Sequence, residues 1–460
     1  MTAAAGSDGG LRIGPWVLAP GVQRRHFGAL LAASFFTIGL MTLVGHLQPY
    51  LFHAVLGVPI GEQGSLGGSL AAFNEVIFLA VASLVGAASD KVGRRPIYAA
   101  GFAVMILAYA LYPLATAPGQ LFLFRAVFAV GAACVSAMLA AVIADYASES
   151  ARGRLVGICF FLNGIGVAAL VVFAGRLPRL VESLGVAPPQ AARCAYWSVA
   201  AACVLPLLIV RFGLQRGAPA RAGAPAGVSA GAAERMRTLA TLRIGLAAAR
   251  DPRVLLSYLS AMVSRGDLAV LSTFFLLWLT THGIGQGLSA AQAQAAGTKF
   301  FGIAQVVATF WALVVIAFID RIDRVLALAL AMLAACASYV TIGLVEDPLG
   351  PGMYAAAAFM GIGEMSGILA SQSLVGQVAG EQGRGAVIGV FSMFGAAGIL
   401  LATAVGGLLF DAWRPSAPYL LVGIADGVLA LFAFGVWWTT RRADQEQRAA
   451  VAAGGIAQAD

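Results

Sequence analysis

The sequence predicts an all-α membrane protein in which twelve transmembrane helices form two six-helix pseudo-symmetric bundles. Three observations support this fold class. The 460 residues are 60% hydrophobic and only 11% charged, with a mean hydropathy of +0.87, whereas about a quarter of the residues in a soluble domain are charged. The apolar residues fall into segments of about 20 residues, the length that spans a bilayer. A short motif of the first half also recurs in the second half.

Twelve apolar segments are long enough to cross a membrane. They cover residues 27–52, 66–88, 97–116, 120–144, 154–175, 192–212, 254–280, 292–318, 325–345, 352–377, 386–409 and 417–440. A Pro/Gly/Ala-rich stretch at 216–227 separates the first six from the last six. We therefore expect a cytoplasmic tail (1–26), an N-terminal bundle (27–212), a cytoplasmic linker (213–252), a C-terminal bundle (254–440) and a second cytoplasmic tail (441–460). Within the linker, residues 233–250 predict either an amphipathic helix on the inner leaflet or a solvated helix.

Charge distribution predicts the orientation of the chain. Of its 29 Lys and Arg residues, only Arg176, Arg179, Arg193 and Arg414 lie on the predicted outer side. Because cytoplasmic loops retain positive charge, we expect both termini to be cytoplasmic and the protein to lie in the inner (cytoplasmic) membrane. The same asymmetry explains the net charge of +8 without a nucleic-acid partner.

The sequence lacks the motifs that are typical of several other function classes. The five cysteines lie in predicted spans with no Cys-x-x-Cys pattern, which argues against a metal or redox centre. The sequence contains no Walker lysine motif and no catalytic triad. We therefore expect no enzyme activity, no cofactor and no ATP-driven mechanism.

The two halves contain matching motifs. Glu149-x-x-Arg152-Gly153-x-x-x-Gly157 recurs as Glu381-x-x-Arg384-Gly385-x-x-x-Gly389 at an offset of 232 residues, Gly166 matches Gly398 at the same offset, and Asp90-Lys91 is echoed by Asp320-Arg321. Internal duplication is typical of transporters in which one half rocks against the other.

The loop between spans 2 and 3 carries the most specific motif. Its pattern Gly86-x-x-x-Asp90-Lys91-x-Gly93-Arg94-Arg95 resembles the loop 2–3 signature of the major facilitator superfamily. The resemblance implies an alternating-access secondary transporter, commonly monomeric, in which Asp90 caps the start of span 11 near 383–385 and holds the outward-open state. A carboxylate at a helix N-terminus is stabilised by the helix dipole. Arg94 and Arg95 are then expected to pair with Asp145 or Glu149, and Arg152, Glu381 and Arg384 complete the predicted gating set.

Ionisable residues inside spans are functional candidates, because each costs about 2.5–3.5 kcal/mol to insert. The candidates for proton coupling are Glu364, Asp267, Arg125 and Glu75. The stretch Phe124-Arg125-x-x-x-x-x-Gly131 resembles the family's span 4 motif, whose arginine is linked to proton coupling; a structural bond from Arg125 to carbonyls or to Glu75 is the alternative.

Two acids lie midway along spans that the resemblance places at the cavity. Asp267 is in span 7, and Glu364 is in span 10 among small residues that leave room around it. Low dielectric disfavours the charged form of an acid, so either residue can take up a proton on one side and release it on the other. Asp426, in span 12, is expected to face lipid or a neighbouring helix and receives no site role.

The predicted substrate cavity has two cationic candidates, Arg265 and Lys299, and four polar ones, Gln305, Asn163, Gln372 and Tyr50. The two cations can hold a carboxylate or phosphate substrate, neutralise Asp267 and Glu364 in pairs, or, for Arg265, form a latch with Glu364. The polar residues can equally make helix–helix hydrogen bonds.

These patterns predict proton-coupled export of small organic or amphipathic compounds. The expected partners are a small-molecule substrate, protons and the lipid bilayer. Proton-coupled uptake or exchange of an organic anion is one alternative, and a receptor-like protein that moves no solute is another. Span 5 reads Asn163-Gly164-Ile165-Gly166, without the proline of the Gly-Pro-x-x-Gly-Gly motif usual in the family's drug–proton antiporters, and this departure weakens the efflux assignment.

Overall fold

The computed structural model describes residues 12–13, 16–148, 152–216, 242–379 and 384–456. A small hairpin pairs β1 (Arg12–Ile13) with β2 (Trp16–Val17) before the first helix. Most of the linker predicted to contain the amphipathic helix lies outside the described residues, as do Glu149 and Glu381.

Twelve helices in the described part of the chain are long and apolar enough to cross a membrane. They are α1 (Arg24–Ala54), α2 (Gln63–Val92), α3 (Arg94–Leu111), α4 (Pro118–Tyr146), α5 (Arg152–Glu182), α6 (Pro188–Gly213), α7 (Pro252–Gly285), α8 (Ala290–Phe318), α9 (Arg324–Gly343), α10 (Gly352–Val378), α11 (Arg384–Ala412) and α12 (Ala417–Ile456). The prediction of twelve spans is confirmed. Only the third and ninth predicted spans overrun their helices; at the third, a 3-10 turn containing Pro113 ends the span.

The helices form two bundles of six that meet along two pairs of helices. In the N-terminal half α1 packs on α5 and α3 on α4 and α6, whereas in the C-terminal half α7 packs on α11 and α9 on α10 and α12. Between the halves, α2 packs on α11 and α5 on α8.

Equivalent glycines mark the duplicated helix crossings. A Cβ added at Gly166 of α5 would lie 1.8 Å from the carbonyl oxygen of Phe35 in α1. A Cβ added at Gly398 of α11 would lie 1.8 Å from the carbonyl oxygen of Met262 in α7. Small residues let helix backbones approach closely in membranes. The repeat predicted from Gly166 and Gly398 therefore corresponds to the same crossing in both halves.

The halves touch at the end of the bundle where α1 ends and α2 begins, here called the loop 1–2 end. There, the carboxylate of Asp411 in α11 accepts hydrogen bonds from the backbone N–H groups of Gly64 (2.9 Å) and Ser65 (2.6 Å) at the start of α2. One turn further along α2, Gly68 packs directly against the backbone of Thr403. This end of the bundle is closed.

The opposite end, where α2 ends and α3 begins, is here called the loop 2–3 end. In the described residues, a Cβ built at Gly86 of α2, at Gly157 of α5 or at Gly389 of α11 would have no neighbouring heavy atom within 4 Å. The helices that bound the interface between the halves therefore stand apart here. The structure is open at the loop 2–3 end.

Candidate functional site

A cavity of about 330 Å³ lies between the two halves. Its charged lining residues are Arg125 of α4, Glu75 of α2 and Arg265 of α7. Much of the remaining wall is apolar and includes Ile38, Met41, Phe52, Phe78, Phe128, Leu268 and Leu277. Ligand sites commonly combine an apolar wall with a few polar groups that fix orientation, so this cavity is the candidate substrate site.

Arg125 is held against the wall of the cavity by neutral contacts. It is 8% exposed, and its Nη1 donates a hydrogen bond to Gln48 Oε1 at 2.9 Å. Its guanidinium also lies 5.4 Å from the centre of the Phe128 ring. Neither contact cancels its charge, so Arg125 presents a positive charge to the cavity.

Glu75 faces Arg265 across the boundary between the halves rather than Arg125. The electrostatic partner of Glu75 is Arg265, and the stem of Arg265 lies over Gly395, whose Cβ would sit 3.0 Å from Arg265 Cγ. Among the described residues, no ion pair joins Glu75 to Arg125 or Arg265 to Glu364, and Glu75 and Arg265 themselves interact without a direct ion pair. The sequence could not indicate this interaction, because it depends on how α2 and α7 face each other.

A second polar centre is buried within the C-terminal half. Asp267, Glu364 and Asp426, from α7, α10 and α12, are at most 3% exposed, and Asp267 interacts electrostatically with each of the other two. The carboxyl groups of Asp267 and Asp426 are neighbours, but no hydrogen bond joins them in the described structure. Two carboxylates cannot donate to each other, so a shared proton is needed to turn this approach into a hydrogen bond.

The acid cluster, as we call Asp267, Glu364 and Asp426, retains unused hydrogen-bonding capacity. In the described structure Asp267 Oδ1, Glu364 Oε2 and both Asp426 oxygens lack hydrogen-bond partners. The buried hydroxyl of Tyr339, which also lacks one, interacts electrostatically with all three acids. Asp426, expected to face lipid or a neighbouring helix, is 0% exposed and therefore faces the neighbouring helices. The sequence does show that Asp426 is an acid inside a span. It gave this residue no site role because span 12 was expected at the periphery of the bundle.

Lys299 is not near the acid cluster. Its ammonium lies 4.7 Å from the ring centre of Phe300 and 5.3 Å from that of Tyr354. It therefore neither neutralises Asp267 or Glu364 nor lines the cavity with Arg265. Cation–π contacts of this kind stabilise a charge that has no anionic partner.

The polar cavity candidates are dispersed, and none of the four lines the cavity described above. The Tyr50 hydroxyl donates to Glu182 Oε1 at 2.6 Å, and its backbone N–H donates to Gln294 of α8 at 3.0 Å, which ties α1 to the closed end. Asn163 has a buried side-chain oxygen with no partner among the described residues. Gln305 is half-buried on α8, and Gln372 is exposed on α10.

The predicted gating residues meet in part at the loop 2–3 end. Arg94 bonds Asp90 and, at 3.1 Å, Asp145, as expected for one of the two arginines. Gly93, with φ of 99°, occupies the left-handed region that favours glycine and ends α2. Arg95 turns away from Asp145 and is 7% exposed.

The remaining gating residues lie near the open interface. Asp90 contacts Arg94 and is largely exposed, while residues 380–383, where its expected target begins, are outside the described residues. Arg152 and Arg384 begin α5 and α11. The cap on α11 expected of Asp90 in the outward-open state stays a prediction.

The chain belongs to the major facilitator superfamily, a family of secondary transporters, because the family model for the Major Facilitator Superfamily matches residues 27–351. It is therefore a multi-pass membrane transport protein and not an enzyme.

Comparisons with individual proteins agree with this family. The chain is 24% identical over 421 residues to magnetosome protein MamH of Paramagnetospirillum magneticum, covering 90% of this chain and 92% of the relative. It is 25% identical to magnetosome protein MamZ of the same organism over 88% of this chain, but spans only 60% of that longer protein. The crystal structure of nucleoside transporter NupG superposes with a TM-score of 0.67 at 14% identity, over 90% of this chain and 99% of that one.

Proposed function

We propose that this transporter couples protons to the movement of a small organic anion. The observation that carries the proposal is that Arg125 and Arg265, from opposite halves, both line one cavity. The contacts of an anion with both arginines depend on the relative position of the two halves. Ligands shift a conformational equilibrium only when their contacts differ between states, and a site shared by the halves provides such a difference.

Glu75 is the competitor of the substrate for Arg265 in this proposal. A substrate carboxylate would replace Glu75 at Arg265, and Glu75 would then be released or protonated. Glu75 is half-buried and Arg265 is exposed to the cavity, so a substrate anion can reach Arg265 and compete with Glu75 for its charge. Substrate entry and the state of Glu75 are therefore linked.

The proton itself is proposed to reside on the acid cluster, where three acids have no cationic partner in the described structure. Like charges buried together destabilise one another, so the cluster is proposed to hold at least one proton. Its buried position in the C-terminal half separates it from the cavity. Rocking of that half would change its access to water.

With the basic loops cytoplasmic, the open loop 2–3 end corresponds to an inward-open state in the inner membrane. Export of an amphipathic compound is the second candidate function. The apolar wall of the cavity would bind the apolar part of such a compound, and the carboxyl group of Glu75 would bind a cationic part. Under an inward proton gradient, uptake of the substrate would indicate symport and export would indicate antiport.

Purified protein in proteoliposomes tests the proposal. A melting-temperature screen of carboxylates, nucleosides and amphipathic cations selects ligands, since a ligand stabilises the state that it binds. Radiolabelled flux of the selected ligand is then measured for the wild type, Arg265→Gln and Arg125→Gln, with Arg321→Gln as a charge-matched control outside the cavity. Anion flux that falls in both cavity variants supports the proposal. Anion flux that survives both, or flux of neutral and cationic compounds only, contradicts it in favour of export; no flux of any solute favours the receptor alternative.

A further inference from the structure

We propose that the loop 2–3 end of the N-terminal half holds a binding site for a phosphate-class anion, occupied by the headgroup phosphate of an anionic membrane lipid. Two adjoining pockets of about 430 and 440 Å³ lie beside the start of α1, the start of α3 and the end of α6. Arg95 and Arg216 line both pockets, Arg25 and His26 line the first and Arg211 lines the second. This site, here called the arginine pocket, is separate from the cavity between the halves.

Arg95 is the residue that most requires a ligand. It is 7% exposed, yet it has no hydrogen bond or ion pair with any described residue. Its close charged neighbours are Arg211 and Arg216, which repel it. A buried charge without a counter-charge is strongly unfavourable. Arg94, the preceding residue, shows the contrast, because it is paired with Asp145.

No carboxylate lines either pocket within the described ranges. A cluster that served only to orient the chain in the membrane would leave its arginines in water, as charged side chains usually are. Here, Arg95 is instead 7% exposed, whereas Arg25, Arg211 and Arg216 are exposed. An anion bound among them would supply the missing counter-charge, and guanidinium groups bind phosphate oxygens through paired N–H donors.

Backbone contacts fix the walls of the arginine pocket. Ala19 N–H donates to the carbonyl of Tyr146 at 3.0 Å, and Gln215 N–H donates to the Tyr146 hydroxyl at 2.9 Å. Gly21, with φ of 83°, turns the chain so that its Cβ position lies 3.3 Å from Gln215 Nε2. The segment before α1 and the segment after α6 are thus both attached to the end of α4, and the pocket is formed without a ligand.

The surroundings favour a lipid over a soluble phosphate. The pocket lies at the ends of three spans, at the level of lipid headgroups. Phe212, in its wall, is 69% exposed and would contact the acyl chains beside the headgroup. Basic pockets between membrane helices are established sites for anionic headgroups. A free phosphate offers the same oxygen atoms but would leave Phe212 without an apolar partner.

The test uses full-length protein in nanodiscs of phosphatidylcholine with or without phosphatidylglycerol. Native mass spectrometry counts the phosphatidylglycerol molecules retained by the wild type, Arg211→Gln and Arg216→Gln. Each substitution is expected to weaken retention about fivefold, while the control Arg321→Gln, a cation at the same end beside Phe318, retains the lipid as the wild type does. Arg95→Gln should have the largest effect, and the two surface variants keep the test decisive if Arg95→Gln does not fold.

A second arm identifies the source of the phosphate. Inorganic phosphate is titrated into protein in phosphatidylcholine nanodiscs, and the melting temperature is recorded. A rise that Arg211→Gln abolishes, without selective lipid retention, would support the phosphate class but overturn the assignment to a lipid. Equal lipid retention and equal phosphate response in the wild type, Arg211→Gln and Arg216→Gln would overturn the whole proposal.

Discussion

The two halves of the transporter repeat one backbone arrangement but differ in what they bury. In the N-terminal half, Gly131 of α4 packs against the Gly101 carbonyl of α3, and the next residue is Ala132. In the C-terminal half, Gly363 of α10 packs against Ser338 and Ala335 of α9, and the next residue is Glu364. The equivalent positions therefore hold a methyl group in one half and a carboxyl group in the other.

This difference distinguishes the residues that pack the helices together from the ionisable residues. The glycine crossings occur in both halves, as expected of a framework that rocks as two rigid units. The buried acids occur in the C-terminal half, whereas the N-terminal half contributes Arg125 to the cavity. A duplicated fold can thus keep its packing contacts while one copy acquires ionisable groups.

The strongest test of the shared framework is Gly166→Ala compared with Gly398→Ala. Each added methyl would lie 1.8 Å from a carbonyl oxygen, so both variants are expected to lose folded protein or melt far below the wild type, since overpacking alone costs about 1–3 kcal/mol. Gly157→Ala and Gly389→Ala, on the same two helices in open space, are matched controls. Size-exclusion profiles and melting temperatures provide the readout. If Gly166→Ala and Gly398→Ala melt like their controls, the equivalence of the two crossings is wrong.

The chemical difference is tested by Asp426→Asn, which removes one acid of the cluster while keeping its shape. We expect flux driven by a pH gradient to fall to the rate measured without a gradient, because the proton that we propose for the acid cluster would lose one of its sites. Asp347→Asn, an exposed acid of the same half, should transport normally. Gradient-driven flux at the wild-type rate in Asp426→Asn would restore the original expectation that this residue has no role.

A smaller effect is expected at the closed end. Asp411→Asn weakens the cap on α2, and a charge at a helix N-terminus contributes about 0.3–1 kcal/mol, so the populations of the two states should shift by up to about fivefold toward opening at the loop 1–2 end. Asp90→Asn is expected to shift them the opposite way. Distances between spin labels at Gly57 and Gln286 report the change. An unchanged distance distribution in Asp411→Asn would exclude the cap as part of the gate.

The fold could be predicted from the sequence because membrane spans are defined locally, by apolar segments about 20 residues long. The match of Gly166 with Gly398 could be predicted because both copies retain the glycine, whereas the helix crossing that each forms is seen only in the structure. The proximity of Asp267, Glu364 and Asp426 could not, because it depends on how three helices face one another. Glu75 and Arg265 illustrate the same limit, since each charge was evident but their interaction across the halves was not. Arg95 was assigned to the gate with Arg94, although the two neighbouring side chains point to different surroundings.

The most direct test of proton coupling through the acid cluster compares two fluxes of Glu364→Gln in proteoliposomes. Glutamine imitates the protonated acid and cannot release a proton. The account predicts that exchange of labelled for unlabelled substrate persists, because the cavity is intact, while accumulation driven by a pH gradient disappears. Accumulation at the wild-type level in Glu364→Gln would contradict the account.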